Sequence, residues 1–181
     1  MKQAKRVAFG GAMAALATAI MLTAYFPYLT YAIPCAAGLV TAICVIELSM
    51  GWAWGVYAVS AFLTLLFAEP EAKLLYIFFF GYYPILKTYL EKIKFRPLEC
   101  LAKFAVFNAA VLAVYFVFAG LFGVDMSDMG DFGKYTAVIL LALGNAAFFL
   151  YDILIDRLAG MYLFRLHKHA VKLLGINEGR E

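Results

Sequence analysis

The stretch Tyr31–Ala68, YAIPCAAGLVTAICVIELSMGWAWGVYAVSAFLTLLFA, carries one charged residue, Glu47, in 38 positions. A helix needs about 20 apolar residues to cross a hydrocarbon core of about 30 Å, so the stretch is long enough for two crossings. Its only interruption is Glu47 with Ser49, Met50 and Gly51 close behind, and a tight turn there makes it a helical hairpin in lipid. Outward from this hairpin, four more apolar runs are bounded by charges or turn residues. The predicted spans are 7–26, 31–49, 51–68, 72–90, 102–122 and 135–156, followed by a basic tail over 157–181. The period-two alternation of a membrane β-barrel, the other spanning solution, is missing. The expected fold is therefore an all-α polytopic membrane protein, a single domain of six transmembrane helices.

Composition points the same way. Of the 181 residues 66% are hydrophobic and 15% charged, against roughly 25% charged in a soluble domain. One soluble core could not hide so much apolar surface, and disorder and coiled coil fall with it. A formal charge of +3 is too small to argue for a nucleic-acid partner; the partner of most of the surface is the lipid bilayer. Cys35, Cys44 and Cys100 form no CxxC pattern and read as small hydrophobes, with no disulfide, metal or cofactor implied.

Cytoplasmic flanks keep Lys and Arg, which orients the chain. Lys2, Lys5 and Arg6 place the amino terminus inside, and six crossings leave thirteen of the fifteen basic residues on that side, with only Lys73 and Lys134 outside. Both termini are then cytoplasmic, in a bacterial inner membrane. A basic start before an apolar run is also the layout of a cleavable signal peptide, but the run is about 20 residues long and has no small-residue cleavage site before Pro27.

The first helix carries Ala4, Ala8, Ala12, Ala15 and Ala19 at spacings of four, four, three and four, with Gly11 beside them. These positions share one smooth face on which a second helix can approach closely, from the same chain or from a partner. Gly51 and Gly55 make a shorter pair of the same kind, expected to pack within the chain.

Charges inside spans need a partner, a wet cavity or an interfacial position. Glu47, Lys87 and Asp156 lie about one turn from the cytoplasmic face and Asp152 one turn deeper, so Lys87 is expected to pair with Asp152 or Glu47 in an inner polar network. Asp152 and Asp156, four apart on one face, also suit Mg²⁺-diphosphate chemistry, but no second span carries a matching Asp pair. Intramembrane proteolysis is excluded by the lack of a Ser–His or two-Asp arrangement, since both histidines lie in the tail. No GxxxxGK[ST] motif is present, so the chain is not expected to hydrolyse ATP by that route. On the outer side Tyr28 and Tyr31, with Glu69, Lys73, Tyr76 and the deeper Asn145, are candidates for a small-molecule pocket of aromatic walls and a few polar anchors. The alternative for each tyrosine is an interfacial anchor.

In size, helix count, orientation and its opening KRVAFGGAMAALATAIML, the chain resembles the S components, the substrate-binding membrane subunits of energy-coupling factor vitamin transporters. The most specific element is the AxxxA motif, matched by both Ala8–Ala12 and Ala15–Ala19. The resemblance implies that a vitamin-like ligand binds from outside under a lid, here Pro27–Pro34, and that the alanine face docks a coupling transmembrane subunit served by ATPases. No signature specific to the riboflavin, thiamine, biotin or folate members is present. The rod-shape family MreD, another small multi-span inner-membrane family, stands for the alternative: a scaffold without cargo whose alanine face serves a different protein.

Overall fold

The computed structural model describes residues 2–26, 28–122 and 130–165, and no β-strand occurs among them. Helix α1 (Lys2–Leu22) ends in a 3₁₀ turn, Thr23–Tyr25; α2 (Ala32–Glu47) and α3 (Met50–Phe67) follow. Next come α4 (Pro70–Leu75), a π-helical turn (Tyr76–Phe80) and α5 (Tyr83–Leu90), then α6 (Arg96–Phe122) and α7 (Gly130–Arg165). The backbone stays right-handed at Leu75, Tyr76, Gly81 and Tyr82, so α4, the π turn and α5 are one interrupted rod, and the described residues make six rods. Gln3–Tyr25, Met50–Phe67 and Arg96–Val117 are each long and apolar enough to cross a membrane, and α2 is a shorter apolar helix of 16 residues.

The hairpin falls where the sequence places it: only Leu48 and Ser49 separate α2 from α3. Three boundaries differ. Helix α6 begins at Arg96, one and a half turns before the expected span, because nothing between Pro97 and Ala102 stops it. Helix α7 runs for 36 residues, about 54 Å at 1.5 Å per residue, so 157–165 of the expected tail is helix; the rest of the tail lies outside the described residues. The fourth span is broken where the sequence reading had it continuous. Pro84 has no N–H to give the Phe80 carbonyl, which removes a helical bond. The chain instead closes a wider turn from Gly81 N–H to the Tyr76 carbonyl, 2.8 Å.

Neighbouring helices take up the carbonyls of that turn. The Tyr57 hydroxyl donates to Ile77 O at 2.6 Å and the Thr41 hydroxyl to Gly81 O at 2.9 Å. Gly38 on α2 makes the approach possible: a Cβ there would run into the Phe80 carbonyl oxygen and the Tyr151 hydroxyl. Helix α2 is thus the central element, in contact with α1, α3, the broken rod and α7.

Its two sides are packed by different means. Toward α1 and α3 the buried residues are small, Ala14, Cys44 and Ala53 with Val56 and Ile85, and Ala37 with Met21 and Tyr76, so backbones come close. Toward α6 and α7 the core is aromatic: Phe107 stacks on Phe148 at 4.9 Å, and Phe79 meets both rings edge-on. Lys103 with Asp152, Phe104 with Phe148 and Asn108 with Asn145 step inversely along α6 and α7, which defines an antiparallel pair.

Candidate functional site

Six charged side chains from α5, α6, α7 and the α5–α6 connection meet in one layer. Lys87 leaves α5 a turn before its end and is 3% exposed; its Nζ lies 2.6 Å from Asp152 Oδ1, 2.9 Å from Asp156 and 3.4 Å from Glu91. It also donates to the Asp152 carbonyl oxygen at 2.9 Å. Lys103 on α6 sits 2.8 Å from Glu99, 3.3 Å from Asp152 Oδ2 and 3.4 Å from Glu91. The Tyr83 hydroxyl completes the shell of Asp152 by donating to Oδ1 at 2.7 Å. Asp152 is therefore the hub, with each oxygen held by a different lysine.

The structure brings together Lys87, Asp152 and Asp156 as the sequence reading expected, but it does not bring Glu47 to them. Glu47 is buried at the end of α2. Sequence reasoning missed Lys103, Glu99, Glu91 and Tyr83. The signal is present in the sequence, since Glu99–Lys103 and Lys87–Glu91 are i,i+4 pairs, but a span beginning at 102 leaves Glu99 off the helix that carries Lys103. With Lys87 between them, Asp152 and Asp156 face a cation. Among the described residues, no group of three or more His, Cys, Asp or Glu side chains is arranged to hold a metal.

The outer candidates divide. Glu69 Oε2 accepts the Ala72 N–H at 2.7 Å and so caps α4. Lys73 Nζ donates to Leu65 O at 3.4 Å, and the fully buried Tyr76 shares a 2.7 Å hydrogen bond with Ser60. Tyr76 and Lys73 thus tie the broken rod to α3. Tyr28, 98% exposed, and Tyr31, also exposed, stand out from the α1–α2 connection, of which Pro27 lies outside the described residues. Asn145 joins none of these. It pairs with Asn108 on α6 through reciprocal amide bonds of 3.0 and 3.3 Å, and each amide also donates to its own helix.

Along α1, Gly10, Ala14, Ala17, Thr18 and Met21 are buried, while Ala4, Ala8, Ala12, Ala15 and Ala19 are all exposed, together with Gly11. The alanine face therefore points away from the chain's own bundle. Gly51 and Gly55 correct the sequence reading. Both are exposed, with no atom within 4 Å of where a Cβ would be, so they mediate no close packing within the chain. Gly38, with Ala42 one turn on, does mediate close packing within the chain, as does Gly81 against the Tyr57 ring.

A cavity of about 520 Å³ opens between α2 and α7. Leu39, Ala42, Ile43 and Ile46 form one wall and Ile155, Leu158, Ala159 and Met161 the other, with Tyr162 and Arg165 toward the end of α7. It adjoins a smaller pocket of about 100 Å³ that reaches Lys87, Glu91 and Asp156.

No protein-family model, curated protein or solved structure matches this chain.

Proposed function

We propose that the chain is a six-span subunit of a bacterial cytoplasmic membrane, with both termini inside, which binds a vitamin-like small molecule from outside. It would deliver that molecule by docking on a separate, ATP-driven coupling subunit. One observation carries the reading: the face of α1 bearing Ala8, Ala12, Ala15 and Ala19 is left open while the opposite face of the same helix is closed against α2 and α3. In lipid, where apolar area gives no drive for helices to associate, small residues favour a partner by letting backbones approach. An exposed, continuous small-residue face is thus suited to a second protein. The chain carries no GxxxxGK[ST] motif, and in this reading the ATPases belong to the partner.

A specific observation favours a second reading, the scaffold without cargo. Glu69 and Tyr76 are held by groups within the chain, and Lys73 by a long bond to Leu65 O, so a ligand entering from outside would have to reclaim them or use Tyr28 and Tyr31. An intramembrane lipid-processing enzyme using Asp152 and Asp156 is third, and it would first have to displace Lys87 from both.

Two measurements on the same protein separate the readings. Replacing Ala12 and Ala15 with Trp should abolish co-purification with a coupling subunit while leaving the thermal transition of the chain in place. An intact complex would refute docking through this face. Thermal scans with a panel of vitamins then test for cargo, because a ligand at 100 times its dissociation constant adds about 2.7 kcal/mol. Lost co-purification with no shift from any vitamin would leave the scaffold reading standing.

A further inference from the structure

The groove between α2 and α7 is apolar along its walls, yet it ends on Arg165. We propose that it is a binding site for one anionic phospholipid of the cytoplasmic leaflet, with an acyl chain between the helices and the phosphate on the Arg165 guanidinium. The inference rests on the membrane-spanning part of the reading above but not on transport.

Three features select this occupant. The first is length. From Ile155 to Arg165 the groove follows α7 for ten residues, about 15 Å at 1.5 Å per residue, a length that suits an extended stretch of one acyl chain below its headgroup. The second is polarity. Leu39, Ile43, Ile155 and Leu158 offer nothing to a polar solute, whereas hydrocarbon fits them. The third is charge at the correct end. Arg165 is exposed one turn beyond Tyr162, and among the described residues it forms no ion pair.

Asp156, the carboxylate nearest along the same helix, is bound by Lys87. Basic groups at the cytoplasmic ends of grooves between membrane helices are a recurrent way to hold anionic headgroups, and an arginine fork suits a phosphate through paired N–H donors.

The test uses the full chain in nanodiscs of equal phosphatidylglycerol and phosphatidylcholine with matched acyl chains. Mild detergent extraction and native mass spectrometry then count the lipids retained. One phosphatidylglycerol per protein should be kept over phosphatidylcholine by at least about fivefold, roughly what one basic residue near an anionic headgroup contributes. Arg165→Gln, an exposed change outside the core, should retain lipid but bring the two headgroups to parity. Ala159→Phe and Ala42→Phe fill the groove from opposite walls, and each should lose the bound lipid. Equal retention of both lipids by the unaltered chain, or undiminished preference in Arg165→Gln, overturns the proposal, as does lipid retention in both filled variants. A chain that leaves the membrane fraction on alkaline carbonate washing refutes the membrane reading itself, which is a separate failure.

Discussion

Replacing Lys87 with Met keeps the length of the side chain, removes its charge, and strips Asp152 Oδ1 of a 2.6 Å partner in a layer where Lys87 itself is 3% exposed. Breaking a buried ion pair from one side costs about 3–5 kcal/mol, since the remaining charge stays in a poor solvent. Asp156 and Glu91 are 60% and 41% exposed, so both recover water when the lysine goes and add little. Asp152, 18% exposed, keeps Lys103 at 3.3 Å and the Tyr83 hydroxyl at 2.7 Å, which places the expected loss at the lower end, about 3 kcal/mol. For a chain of this size that corresponds to an apparent Tm lower by about 6–12 °C in detergent. The companion variant Asp152→Asn with Lys87→Met removes both charges and should recover at least about 1 kcal/mol over the sum of the single changes. A Lys87→Met protein that melts within about 2 °C of the parent, or a double variant that is simply additive, would refute the assignment of Asp152 as the hub.

Two further predictions test packing and topology. Gly38→Ala should lower stability by about 1–3 kcal/mol, because its Cβ meets the Phe80 carbonyl and the Tyr151 hydroxyl, while Gly51→Ala and Gly55→Ala should leave thermal unfolding unchanged or slightly improved. Cys100 is the exposed thiol, with Cys35 half-buried and Cys44 buried. A membrane-impermeant maleimide should therefore label Cys100 in inverted vesicles and spare it in intact cells, whereas Tyr28→Cys should be labelled in intact cells; the opposite pattern would reverse the orientation.

Much of the fold could be read from hydropathy, because lipid leaves a chain few alternatives and length alone locates a hairpin such as Tyr31–Ala68. The inner pairing of Lys87 with Asp152 was legible for the same reason, since a cation in a span must find an anion at its depth. The break in the fourth rod was not. Pro84 advertises a lost hydrogen bond, yet the π turn also depends on Tyr57 and Thr41, whose proximity only the tertiary structure supplies. Gly38, with Ala42 at i+4, forms a small-residue pair that was overlooked, and Gly51–Gly55 was over-read, because such a pair says nothing about which way it faces. Asn145 illustrates a third limit: its depth suggested the outer pocket, but rotation about α7 gave it to Asn108.

The charged layer also constrains the order in which the protein can be made. Lys87 emerges from the ribosome 65 residues before Asp152, and until then its nearest company is Glu91 one turn on. On the six-span reading, a lysine within the hydrocarbon region costs up to about 2.5–3.5 kcal/mol on insertion scales until it meets its counter-ion, so the fourth rod would be poorly held in lipid while the last is still being synthesised. Closure of the bundle is thereby tied to completion of α7, and a nascent chain stalled before residue 152 would keep its lysine near the headgroups or in the care of the insertion machinery.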